Sequence, residues 1–154
     1  MSKEFSATRR YLAIRFPFLP AQRVQAQEPD RIASDGSHDD ETCAFAWVSK
    51  SRGAMVLSAV SQGAAELGLA PGMTLADARA RVPELLSLTH DPAADRHFLR
   101  SLAGGCHAFS PRVAVSPPDG LTLDIAGVDH LFGGEDAMIA AVETHCDALG
   151  LTLQ

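Results

Sequence analysis

The chain has 154 residues, 46% of them hydrophobic, and a formal net charge of −6. That length and apolar content exclude a disordered tail and allow one domain with a real core. Aromatic residues are few (one Trp, one Tyr, seven Phe), so the core is expected to be mostly Leu, Val, Ile and Ala.

Charge is unevenly spread. All 13 Lys and Arg lie at or before Arg112, and after it come Asp119, Asp124, Asp129, Glu135, Asp136, Glu143 and Asp147. This polarity fits either a face turned to nucleic acid or an acidic, solvated C-terminal helix. Cys43, Cys106 and Cys146 are odd in number and far apart, with no CxxC. Neither zinc nor a disulfide framework is indicated, and reduced thiols in a cytoplasmic protein are the simple account. MSKEFSATRR lacks the apolar stretch of a signal peptide, and no apolar run approaches the roughly 20 residues of a membrane span.

In chain order, YLAIRFPFL (11–19) reads as a strand ended by Pro17 and Pro20. AQRVQAQ (21–27) suits a short helix, and the polar stretch 28–42 reads as an exposed loop. CAFAWVSK (43–50) and AMVLSAV (54–60) form a hairpin across Ser-Arg-Gly. An Ala-rich helix follows and ends at Gly68; Thr74, with Asp77 three residues on, caps another that Pro83 stops. LLSLTH (85–90) reads as a strand. Asp91-Pro92 then opens a long helix to about residue 108, with Asp91 as N-cap. RVAVSP (112–117) and GLTLDIAG (120–127) make a second hairpin, residues 133–150 an amphipathic helix closed by Gly150, and LTLQ the start of a strand. The order predicts an α+β fold, an antiparallel sheet backed by helices.

Asp119, Asp124 and Asp129 fall five residues apart in DGLTLDIAGVDHLFGG, a pattern that raises the question of a magnesium site. If Asp119 belongs to the same strand as Asp124, the two point to opposite faces and cannot share an ion. The spacing then favours structural roles, Asp119 in a turn and Asp124 at a strand end. The six histidines make no ligand pair of the HExxH kind, and the adjacent Cys106-His107 do not converge on one point of a helix. Gly133-Gly134 precedes a helix, but Glu135 and Asp136 follow at once; they suit the helix dipole and would repel a phosphate.

Three stretches carry a resemblance. RGAMVLSAVSQGAAELGLAPGMTLADARARVPEL, FSPRVAVSPPDGLTLDIAG and DHLFGGE, in this order, are similar to the fingers segment, the palm hairpin and the end of that hairpin in Y-family DNA polymerases, and most similar to their ImuB-like branch. The resemblance runs from about residue 11 to the end. It implies a ferredoxin-like palm from residues 11–31 and 85–154, fingers from 32–84 and an N-terminal tail of residues 1–10. It also implies that the chain stops as the last palm strand begins, without thumb, little finger or clamp-binding tail.

Active relatives place metal-binding acids in the first strand, in a segment like DMDAFF, where this chain has Arg15 and Pro17. They carry an adjacent Asp-Glu in the palm hairpin, where Asp119 matches the Asp and Gly120 replaces the Glu; Asp124 matches a later, structural Asp. Two Mg²⁺ ions about 3.5–4 Å apart need bridging carboxylates. One aspartate cannot hold them, and a guanidinium at Arg15 would oppose them or pair with Asp119. The Tyr and Arg that hold the incoming triphosphate in active relatives correspond to Gln62 and Ala65, neither of which can clamp a phosphate.

The resemblance therefore implies a catalytically dead polymerase relative, not an enzyme and without a metal or other cofactor. It would act as an adaptor in SOS-induced translesion synthesis, mutagenesis and DNA repair. Its implied partners are damaged or primed DNA, a sliding clamp, an error-prone C-family polymerase and a RecA-like accessory protein. Arg52, Arg79 and Arg81 are the candidate DNA-facing residues. The alternatives are a residual, Mg²⁺-dependent nucleotidyl transferase and a non-functional remnant.

Overall fold

The computed structural model describes residues 9–29 and 44–154. Most of the expected tail and loop lies outside the described residues, as does Cys43. The chain divides into two compact units, one from the residues up to Pro17 with Arg96–Gln154, the other Phe18–Asp95.

The first unit holds an antiparallel sheet ordered β1-β6-β5, from Tyr11–Arg15, Gly120–Asp124 and Val113–Ser116. Alternation splits its residues cleanly. Ile14, Leu121 and Leu123 are buried, whereas Tyr11, Ala13, Arg15, Ala114 and Ser116 are exposed. Helices α4 (Pro92–Cys106) and α5 (Glu135–Ala148) add Leu99, Cys106, Met138, Val142 and Cys146 to the interior. Burial of each large apolar side chain contributes about 1.5–3 kcal/mol. Asp91 caps α4 as expected, its Oδ1 accepting from the amides of Ala93 (3.1 Å) and Ala94 (3.0 Å). The LTLQ segment meets the free edge of β1, where Arg15 and Gln154 exchange both backbone hydrogen bonds at 2.9 and 3.0 Å.

The second unit holds a sheet ordered β3-β2-β4, from Ala54–Val60, Phe45–Ser51 and Leu86–Thr89, and the helices α1 (Leu19–Gln27), α2 (Gln62–Glu66) and α3 (Leu75–Arg81). The β2–β3 hairpin turns at Arg52 and Gly53, both at positive φ (48° and 85°). Its cores are Val24, Phe45 and Trp47 on one side, and Ala46, Val48, Leu57, Val60, Leu69 and Leu85 on the other. Thr74 caps α3 by accepting from the Asp77 amide at 3.1 Å.

Several expectations need correction. The first strand ends at Arg15, and a helix begins at Leu19 with Pro20 in its first positions. A proline there loses no hydrogen bond, so Pro20 starts a helix instead of ending a strand. The strand at Leu86–Thr89 runs parallel to β2, a pairing that no local pattern announces. Residues 18–29 and 85–95 pack with the intervening strands and helices. A 3-10 helix at Asp129–Phe132, unforeseen in the sequence, precedes α5.

Candidate functional site

The expected metal positions converge at one end of the first sheet. Register places the Cα of Arg15 opposite Gly120. The Phe16 amide donates to the Asp119 carbonyl at 2.8 Å, fixing Asp119 in the turn just before β6. Because Asp119 stands outside the strand, strict alternation does not govern its side chain. Its Oδ2 lies 2.8 Å from Arg15 Nη2, an ion pair across the strand ends. The hydrogen bond to Asp119, then its charge, push the Arg15 guanidinium pKa above its ordinary value. A fixed cation thus occupies the ground beside the carboxylate.

Gly120 is closely enclosed. A Cβ there would lie 3.0 Å from the Ser116 carbonyl oxygen and 3.3 Å from that of Ile14. A side chain there would fit only if these backbone oxygens gave way by a few tenths of an ångström. Pro17 lies just past β1 and contributes no acid.

Asp124 closes the far end of β6. It stands four residues beyond Gly120, roughly 13 Å at about 3.3 Å per residue, and cannot join Asp119 at one ion. Its Oδ2 accepts from Arg112 Nη1 at 3.3 Å and its Oδ1 from the Ala126 amide at 3.1 Å. Between the two ion pairs the hydroxyls of Ser116 and Thr122 meet at 3.0 Å. Arg112 was not foreseen as a site residue. The hairpin register, which sets Arg112 beside Asp124, is the signal that could have found it. Among the described residues, no group of three His, Cys, Asp or Glu side chains is placed to hold a metal ion.

The remaining candidates lie in the second unit. Gln62 spends its amide on Glu66 Oε1 at 3.1 Å, and Ala65 packs against the core. Arg52 is exposed in the hairpin turn. Arg79 donates to Ser87 Oγ at 3.1 Å, and Arg81 to the Gly68 carbonyl at 3.3 Å. Among the described residues, no helix is long and apolar enough to cross a membrane.

The family described as IMS, impB/mucB/samB, matches residues 39–153. The chain belongs to that family. Protein ImuB of Caulobacter vibrioides, from strain NA1000 / CB15N and likewise from strain ATCC 19089 / CIP 103742 / CB 15, is 56% identical over 73 residues. The match covers 47% of this chain and 16% of the relative. Among solved structures, a post-insertion binary complex of Dbh DNA polymerase superposes with a TM-score of 0.73 at 14% identity, and DinB from Sulfolobus solfataricus with 0.70 at 14%. Both matches cover 93% of this chain and 40% of the other. At such identities the likeness is one of fold, and the fold is that of the Y-family polymerases. The chain spans well under half the length of the proteins it matches.

Proposed function

We propose that this member of the impB/mucB/samB family is a non-catalytic polymerase homologue. In this reading it serves in the cytoplasm as an adaptor for damage-induced translesion synthesis, engaging DNA and the replication proteins that act on it. One observation carries the reading: Arg15 and Asp119 satisfy each other at 2.8 Å where an active relative would hold metal ions. An ion pair of this kind leaves one carboxylate, already occupied, for a chemistry that needs several. The tight enclosure of Gly120 supports it. The fold of DNA polymerases supports DNA as a partner. A sliding clamp, an error-prone C-family polymerase and a RecA-like protein are proposed from the resemblance to the ImuB-like branch.

Primer extension on a templated duplex, with Mg²⁺ and then Mn²⁺, tests the reading. The expected result is no extension. Extension that disappears in D119A would overturn it and favour the residual nucleotidyl transferase, which the surviving carboxylates of Asp119 and Asp124 keep as the second reading.

A further inference from the structure

The two ion pairs on the open sheet face are built alike, and asymmetrically. In each the carboxylate is recessed and the guanidinium projects. Side-chain exposure is 20% for Asp119 against 63% for Arg15, and 16% for Asp124 against 81% for Arg112. Asp124 is further occupied by the Ala126 amide. A partner approaching this face meets arginine first. Each guanidinium has five N–H donors, and the ion pairs use only part of them.

The floor between the arginines is low. Ala13 and Ala114 flank Thr122 across the three strands, and the Ser116–Thr122 hydroxyl pair lies alongside. Beside Arg112, Arg9, Tyr11, His107, Thr122 and Asp124 line a shallow hollow of about 490 Å³. Tyr11 is exposed at its rim.

We infer that this face is a metal-independent contact for the sugar–phosphate backbone of single-stranded nucleic acid, made by Arg15 and Arg112 with Tyr11 available for stacking. The inference rests on the reading of the chain as a DNA-engaging, non-catalytic homologue, and it names the surface and the chemistry. Guanidinium forks match phosphate oxygens bidentately. The two ends of β6 lie roughly 13 Å apart at about 3.3 Å per residue, so the two arginines reach different phosphates of one strand. Arginine, hydroxyl and tyrosine side chains are the usual donors to a nucleic-acid backbone, and an exposed aromatic ring adds base stacking. An acidic protein segment would use the arginines but leave Tyr11 without a role. The chain's net charge of −6 does not forbid the contact, since recognition follows the local field.

Fluorescence anisotropy of a labelled single-stranded oligonucleotide, titrated with the whole chain in EDTA and then in Mg²⁺, tests the inference over about 50–200 mM salt. Binding is expected to survive EDTA. R15Q and R112Q should each weaken it about 3–10-fold and lower the salt slope by about one, while R15K keeps the salt slope but regains only part of the affinity, since lysine restores the charge without the fork. R15Q/D119N, which leaves the net charge unchanged, should also weaken it, because what is lost is the projecting fork. Circular dichroism of each variant checks the fold. The inference is overturned by no binding in the unaltered chain, by binding that needs Mg²⁺, or by affinity unchanged in R15Q/R112Q. Polyglutamate competing as well as the oligonucleotide at equal charge would overturn it in favour of an acidic protein partner. Binding insensitive to both arginines removes this face and leaves the adaptor reading standing. Only primer extension decides that reading.

Discussion

Arg23 and Asp95 form a buried ion pair, Nε to Oδ1 at 2.7 Å, with side-chain exposures of 4% and 7%. The other oxygen of Asp95 lies 2.7 Å from His90 Nε2, and Arg23 Nη1 lies 2.8 Å from Glu28 Oε1. Burial pulls the Arg23 pKa down, but hydrogen bonds to Asp95 and Glu28 outweigh it and the net shift is upward. A charge held this way is costly to strand. D95A leaves the guanidinium without its buried partner and is expected to cost about 3–5 kcal/mol in urea unfolding. R23M/D95L removes both charges and should cost less than either single substitution. Strict additivity of the two single losses would refute the coupling.

Asp91 makes the acid limb of stability testable. The amide of Ala94, ahead of that of Ala93, holds its carboxyl below the ordinary value of 3.8, against a weaker opposing effect of burial. A depressed folded-state pKa gives stability that is present above pH 3.8 and is lost as pH falls through the lower folded value. D91N keeps an N-cap oxygen but no titrating group. It should flatten the fall in melting temperature at pH below 3.8. An unchanged acid limb in D91N would show that other carboxylates dominate there.

What the sequence made legible was local. Thr74 with Asp77, and Asp91 with Pro92, announce helix starts because capping depends on neighbours within one turn. Ser-Arg-Gly announces the hairpin because two positive φ values are needed there. Nothing local tells that Leu86–Thr89 would pair in parallel with Phe45–Ser51, or that Asp95 would join Arg23, 72 residues away. At the candidate site, Arg15, Asp119 and Gly120 were legible through their match to a motif. The Arg112–Asp124 pair was not, because it depends on the hairpin register. The face of Asp119 could not be read from alternation, since the strand begins one residue later.

The buried thiols give a readout of unfolding. Burial pushes Cys106 up, and burial with the nearby Cys106 and Asp147 pushes Cys146 up to about 11. At pH 8 almost none of Cys146 is thiolate, and only the thiolate reacts fast. Iodoacetamide followed by peptide mass spectrometry should leave both unlabelled in the folded chain and label both in urea. Rapid labelling of Cys146 under native conditions would mean that α5 opens without global unfolding.

Gly120 and Gly104 should respond to the same substitution with opposite signs. At Gly120 an added Cβ meets the carbonyl oxygens of Ser116 and Ile14 at 3.0 and 3.3 Å. These are backbone atoms of the neighbouring strands and cannot step aside as a flexible side chain would. G120A is therefore expected to destabilise the chain by about 1–3 kcal/mol in urea unfolding. At Gly104, inside α4, an added Cβ meets nothing within 4 Å. There alanine removes the excess backbone freedom of the unfolded chain, and G104A should stabilise by up to about 1 kcal/mol. If G120A proved neutral, the enclosure would be easily relaxed, and a glutamate could return to the hairpin by one substitution. If it is costly, any larger side chain at 120 meets the same carbonyl oxygens first. Rebuilding an Asp-Glu pair beside Arg15 would then require the strands themselves to move apart, beyond any exchange of side chains.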